Sequence, residues 1–115
     1  MVRTVPPIGH NSGRRGGTVY AISFDMDAKQ LEELYGKPSW QNAHAEIGRT
    51  LGEHGFERQQ GSVYFGDDTV TAVSCVLAIQ DVTRKLPWFG PSVRDVRMLR
   101  IEENNDLGPA VEAVT

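Results

Sequence analysis

The stretch Val19-Tyr20-Ala21-Ile22-Ser23-Phe24-Asp25-Met26-Asp27 decides the fold. From Val19 to Phe24 it is almost continuously apolar, as a central strand covered on both faces requires; a half-exposed strand would alternate. The run stops at Asp25-Met26-Asp27. Asp27, with Gln30 three residues on, has capping-box spacing, so a helix opens there. A buried strand feeding a capped helix is the first half of a strand–helix–strand unit.

Outward from this stretch the chain is punctuated regularly. Upstream, residues 1–17 combine Pro6, Pro7 and several glycines with Arg3, Arg14 and Arg15, and read as a flexible N-terminal arm. Downstream, Leu31, Leu34 and Tyr35 form the stripe of a short helix that Gly36-Lys37-Pro38 breaks. Ser39 can cap a second segment, in which Trp40, Ala43, Ile47 and Leu51 keep helical spacing until Gly55. Extended runs on either side of Gln60-Gly61 read as a hairpin. Asp67 and Asp68 suit a helix start. The helix that follows, carrying Val70, Val73, Val76, Leu77, Ile79, Val82 and Leu86, is apolar round most of its circumference and is expected to be well buried, ending at Arg84, Lys85 and Pro87. Trp88-Phe89-Gly90-Pro91 reads as a turn. Val93 to Ile101 is a last, edge strand, with Arg97, Leu99 and Ile101 on one face and Arg94, Val96, Met98 and Arg100 on the other. Glu102 to Asp106 is a polar exit before a short C-terminal tail, 107–115.

The order strand, helix, strand, strand, helix, strand predicts an α+β domain over residues 18–106. Its topology is ferredoxin-like βαββαβ, with both helices on one face of a four-stranded antiparallel sheet. The first strand is apolar on both faces, so the open face needs a second cover, and the expected cover is another copy of the chain: a face-to-face homodimer.

Composition bounds the function. With 115 residues there is room for one core, and 39% apolar with 23% charged residues is ordinary for a globular protein. No apolar run is long enough to span a bilayer, and the N-terminus lacks the apolar stretch of a secretory signal. The single cysteine, Cys75, sits in the apolar helix as a core thiol and cannot form an internal disulfide, so the expected compartment is the cytoplasm. The net charge of −3 argues against wrapping duplex nucleic acid, but Arg84, Lys85, Arg94, Arg97 and Arg100 crowd a short stretch. No glycine-rich phosphate loop and no zinc spacing occurs, and His44 and His54, ten residues apart, read as surface or flanking residues.

Several blocks together resemble the virulence-associated protein D (VapD) family. These are Tyr20 to Asp27, Ala43-His44-Ala45-Glu46-Ile47, Gly55 to Gly66, Pro87-Trp88-Phe89 and, most closely, Ser92 to Leu107. The likeness covers roughly residues 19 to 107 and omits the arm. It implies a ferredoxin-like dimer related to the small nuclease of CRISPR adaptation complexes. It also implies endoribonuclease activity, in several members as the toxin of a toxin–antitoxin pair.

RNA cleavage needs an activated nucleophile, stabilisation of the charged phosphorane and a proton for the departing oxygen. Asp25, at the end of a rigid strand, is the leading candidate. By the resemblance it meets its counterpart across a two-fold axis, as general base or as a ligand to Mg²⁺, a hard ion that takes one or two carboxylates. The structural alternative is that Asp25 only closes the strand; Asp27 is explained by capping alone. Arg97 is a candidate for the phosphorane and Arg94 and Arg100 for RNA phosphates, since guanidinium donates two parallel hydrogen bonds. Ser62 and Tyr64 share a face of the third strand and are added to the catalytic set. Trp88 is a candidate for stacking a base, with sealing of the core as its alternative. The expected partners are RNA, a second copy and a small antitoxin, with no membrane. The competing expectation is a non-catalytic dimeric scaffold or nucleic-acid-binding module of the same fold.

Overall fold

The computed structural model describes residues 18–36 and 40–115, and of Trp40 the backbone only. The expectations placed on the arm 1–17, on the Ser39 cap and on the Trp40 side chain lie outside these residues. The elements are β1 (Val19–Met26), α1 (Ala28–Tyr35), α2 (Trp40–Gly52), β2 (Phe56–Gln60), β3 (Val63–Gly66), α3 (Ala72–Lys85), α4 (Phe89–Ser92), β4 (Val93–Ile101) and α5 (Gly108–Ala113). The sheet order is β2-β3-β1-β4, with every neighbouring pair antiparallel. This is the ferredoxin-like α+β arrangement that the order of elements predicts.

Local chemistry explains the boundaries. The Asp27 side chain accepts a hydrogen bond from the Gln30 backbone N–H at 3.0 Å and starts α1. Gly61 takes a positive φ of 51° between β2 and β3, a conformation that suits a residue without Cβ. The second crossover starts later than Asp67 and Asp68 suggest. Its cap is Thr71, in a reciprocal capping box with Ser74, and Val70 lies in the preceding loop, 2% exposed beneath Gly66. Residues 88–91 are more ordered than a turn, with Phe89–Ser92 forming the single helical turn α4.

The core lies between the sheet and its helices. Ile22, Phe24 and Met26 of β1 pack with Leu31, Ala43, Ile47, Leu51 and Phe89. Phe24 stacks on Tyr64 with centroids 5.9 Å apart and meets Phe89 edge-on at 6.1 Å. The cross-strand register puts Val19, Ala21, Ser23 and Asp25 on the other face, beside Phe65, Leu99 and Arg97. Cys75 is buried, as expected, and desolvation pushes its thiol pKa up. Only Cys75, Ala78 and Val82 of α3 are fully buried, so this helix is less enclosed than its apolar pattern suggests. Val73, Val76 and Leu77 face outward. No helix among the described residues is long and apolar enough to cross a membrane.

β4 departs from regular alternation at one point. Asp25 pairs with Asp95, but Met26 pairs with Val93, so Arg94 is an extra residue with no partner on β1. The result is a β-bulge, which bends the strand and re-aims the side chain that it carries.

Candidate active site

The bulge determines which charged groups meet. The Arg94 guanidinium lies 3.4 Å from the Asp25 carboxylate, and Arg97 lies 2.9 Å from Asp95. Asp25 and Asp95 are direct cross-strand neighbours on the sheet face away from the helices, so two carboxylates and two guanidiniums form one exposed cluster. This corrects the strict alternation that set Arg94 beside Arg100 and opposite Arg97. Arg100 instead pairs across to Tyr20 on the helix side, and its guanidinium is held by Glu102 at 2.6 Å.

The remaining sequence candidates are dispersed. Tyr64 is 5% exposed and pairs across to Ile22, on the helix face, so it does not join Asp25 and Arg97; its ring is core packing against Phe24. Burial raises its phenol pKa. Trp88 is half-buried and meets Tyr35 edge to face at 5.2 Å, which occupies the ring proposed to stack a base. Ser62 sits in the hairpin turn rather than in β3, and its carbonyl accepts from the Phe24 N–H at 3.1 Å, one residue from Asp25.

Ser62 borders two adjoining concavities. A smaller one of about 280 Å³ includes Asp25, Leu31, Glu32 and His44; a larger one of about 790 Å³ lies between α2 and the hairpin and includes Gln41, His44, Arg58 and Tyr64. His44, set aside in the sequence, therefore stands with Ser62 where the two meet. Burial first, and the Arg58 charge second, hold its pKa below the ordinary imidazole value, which favours the neutral ring. No local signal marks it, because its neighbours arrive only when α2 packs beside β2 and β3. His54 is structural: its Nε2 lies 2.8 Å from Asp81, which Lys85 also approaches at 3.1 Å, tying the end of α2 to α3.

The two acidic side chains of the exposed cluster offer one or two oxygen ligands to a hard cation with retained waters. No group of three or more His, Cys, Asp or Glu side chains able to hold a metal occurs among the described residues.

Comparison with known proteins decides the family. The chain is 47% identical over 93 residues to Endoribonuclease VapD 2 of Riemerella anatipestifer, spanning 81% of this chain and 99% of that protein. It is 46% identical over 96 residues to an Endoribonuclease VapD homolog of Helicobacter pylori, covering 84% and 99% of the two chains. This chain belongs to the VapD endoribonuclease family. A third relative, Endoribonuclease VapD of Dichelobacter nodosus, is 38% identical over 94 residues, covering 82% and 98%. No protein-family model matches.

Proposed function

We propose that this VapD-family chain is an endoribonuclease of toxin type. It cuts RNA phosphodiester bonds in the cytoplasm as a homodimer and is restrained by a small antitoxin protein. The observation that carries the reading is near end-to-end similarity to proteins named as endoribonucleases. The chemistry of the bulge cluster agrees with it.

In this reading Arg94 and Arg97 take the RNA phosphate. Both guanidiniums are more than half exposed, with 61% and 70% of their side-chain surface open, and surface ion pairs of this kind are worth about 0–1 kcal/mol. A phosphate offering two parallel acceptors displaces the carboxylates at little cost and brings its own charge to the donors. Asp25, released by Arg94, accepts the proton of the attacking oxygen as it bonds to phosphorus, the guanidiniums stabilise the extra charge of the phosphorane, and the P–O bond to the departing oxygen then breaks with a proton from water going to that oxygen. Mg²⁺ is the proposed cofactor, with Asp25 and its cross-strand neighbour Asp95 as the carboxylates that would hold it; when bound it would supply charge neutralisation. Ser62 and His44 line the adjoining concavities and contact the flanking nucleotide.

Incubating the purified protein with labelled single-stranded RNA, with and without EDTA, tests this. Discrete products are expected, with Asp25→Asn slower by about 100-fold or more. Persistent cleavage in EDTA would remove the metal and leave the enzyme. RNA binding without any product would replace the enzyme with a binding module.

A further inference from the structure

Among the described residues, the large apolar side chains left exposed, Leu34 apart, all belong to α3, β4 or the C-terminal segment 107–114. On α3 they are Val73, Val76 and Leu77, exposed by 65%, 55% and 52%. Between α3 and β4 lies a groove of about 230 Å³ walled by Val76, Ile79, Val96 and Met98, with Ile22 and Cys75 also lining it. The C-terminal segment carries Leu107, Val111 and Val114, exposed by 71%, 63% and 88%. Leu107 and Val114 cap the two ends of α5 and Val111 lies within it, and their spacing of four and three residues is that of one helical side. One chain therefore presents an apolar groove and, separately, an apolar helical stripe.

We infer that the C-terminal segment of a second copy seats its Leu107–Val111–Val114 stripe on the α3/β4 groove, so that two chains exchange tails. The inference rests on the homodimer reading above and specifies its surface. Three observations support this occupant over an unrelated one. The stripe stays exposed on its own chain, so α5 does not fill its own groove. Charge is complementary: residues 102–115 carry Glu102, Glu103, Asp106 and Glu112 and no base, and although Arg94, Arg97 and Arg100 of β4 each meet one carboxylate of their own chain (Asp25, Asp95 and Glu102), all three stay more than half exposed and can take a further acid. Finally, β4 is a nine-residue edge strand with Val96 and Met98 on one face and Leu99 on the other, an edge that folded proteins seldom leave bare. A two-fold exchange covers both grooves and both tails with the same contact made twice.

The test uses the full chain in a Cys75→Ala background, so that introduced thiols are the only ones. A Val76→Cys population mixed with a differently tagged Val111→Cys population should give a mixed covalent dimer on oxidation. In sedimentation, Val111→Asp should weaken self-association about tenfold or more, and Val76→Asp, in the wall of the receiving groove, should do the same. A Val76→Cys/Val111→Cys chain that closes on itself as a monomer would overturn the exchange. A dimer unmoved by Val111→Asp and Val76→Asp would overturn it too, while leaving the homodimer standing on another surface. A protein monomeric at every concentration would remove both.

Discussion

Asp25 and Asp95 face one another across the β1–β4 ladder, and each carboxylate has its own guanidinium, Arg94 at 3.4 Å and Arg97 at 2.9 Å. Like charges directly opposite on paired strands are destabilising unless neutralised. The two arginines therefore have a resting role on the protein as well as the proposed role on phosphate.

Truncating either arginine should separate those roles. Arg97→Ala is expected to raise KM for RNA about tenfold and to flatten the dependence of binding on salt, because a phosphate contact is lost, and to lower kcat as well, because the phosphorane loses a donor. The melting temperature should move little, since the pair is exposed. Arg97→Lys should recover only part of the affinity, because an ammonium cannot donate the paired bonds of a guanidinium. An unchanged salt dependence in Arg97→Ala would take this residue off the RNA path.

Two glycines should respond oppositely to alanine. A Cβ at Gly66 would lie 2.7 Å from Val70, which is 2% exposed and enclosed. Gly66→Ala should cost about 1–3 kcal/mol in chemical denaturation through overpacking. Gly52, at the end of α2, has nothing within 4 Å of the corresponding position and no positive φ. Gly52→Ala should be neutral or stabilising by up to about 1 kcal/mol.

The His54–Asp81–Lys85 cluster predicts an acid limb to stability. Hydrogen bonds from His54 first, then Lys85, hold the Asp81 carboxyl below its ordinary value of 3.8. A carboxylate with a lowered pKa in the fold stabilises above its unfolded value, and that contribution disappears as pH falls through the folded value. Asp81→Asn should therefore lower the melting temperature at pH 5 to 7, and its difference from the parent should shrink below about pH 4. A difference that stays constant into strong acid would mean that the charge of Asp81 is not the stabilising feature.

His44 should titrate below 6.5 in an NMR pH series. Arg58→Ala removes the secondary cause and leaves burial, so the midpoint should rise without reaching the ordinary value. A midpoint at or above 6.5 in the parent would contradict the half-buried setting beside Ser62.

Much of the fold is legible because its signals are local. The apolar run of β1, the Asp27 cap and the Gly61 hairpin each sit within a few residues of what they specify. The site is less legible. Arg94 joins Asp25 only because β4 carries one residue more than β1 at that point, and an extra residue has no compositional mark. Tyr64 looked available because alternation pairs it with Ser62, yet its ring belongs to the core and Ser62 to the turn. For α3, the pattern tells which residues avoid water but not which surface takes them out of it. Val73, Val76 and Leu77 continue the apolar pattern while facing outward.

The unpaired residue in the last strand also works as a spacer. Deleting residue 94, rather than shortening its side chain, would let Val93 and Asp95 become consecutive partners of β1. If the upper part of the strand held its place, everything from Asp95 to Ile101 would keep its present side. If the turn at Phe89–Ser92 held instead, those residues would slide by one and exchange faces, sending Arg97 and Leu99 towards the helices and Met98 outward. A single-codon loss there would thus leave the amino-acid content nearly untouched while turning the face that carries Arg97 inside out.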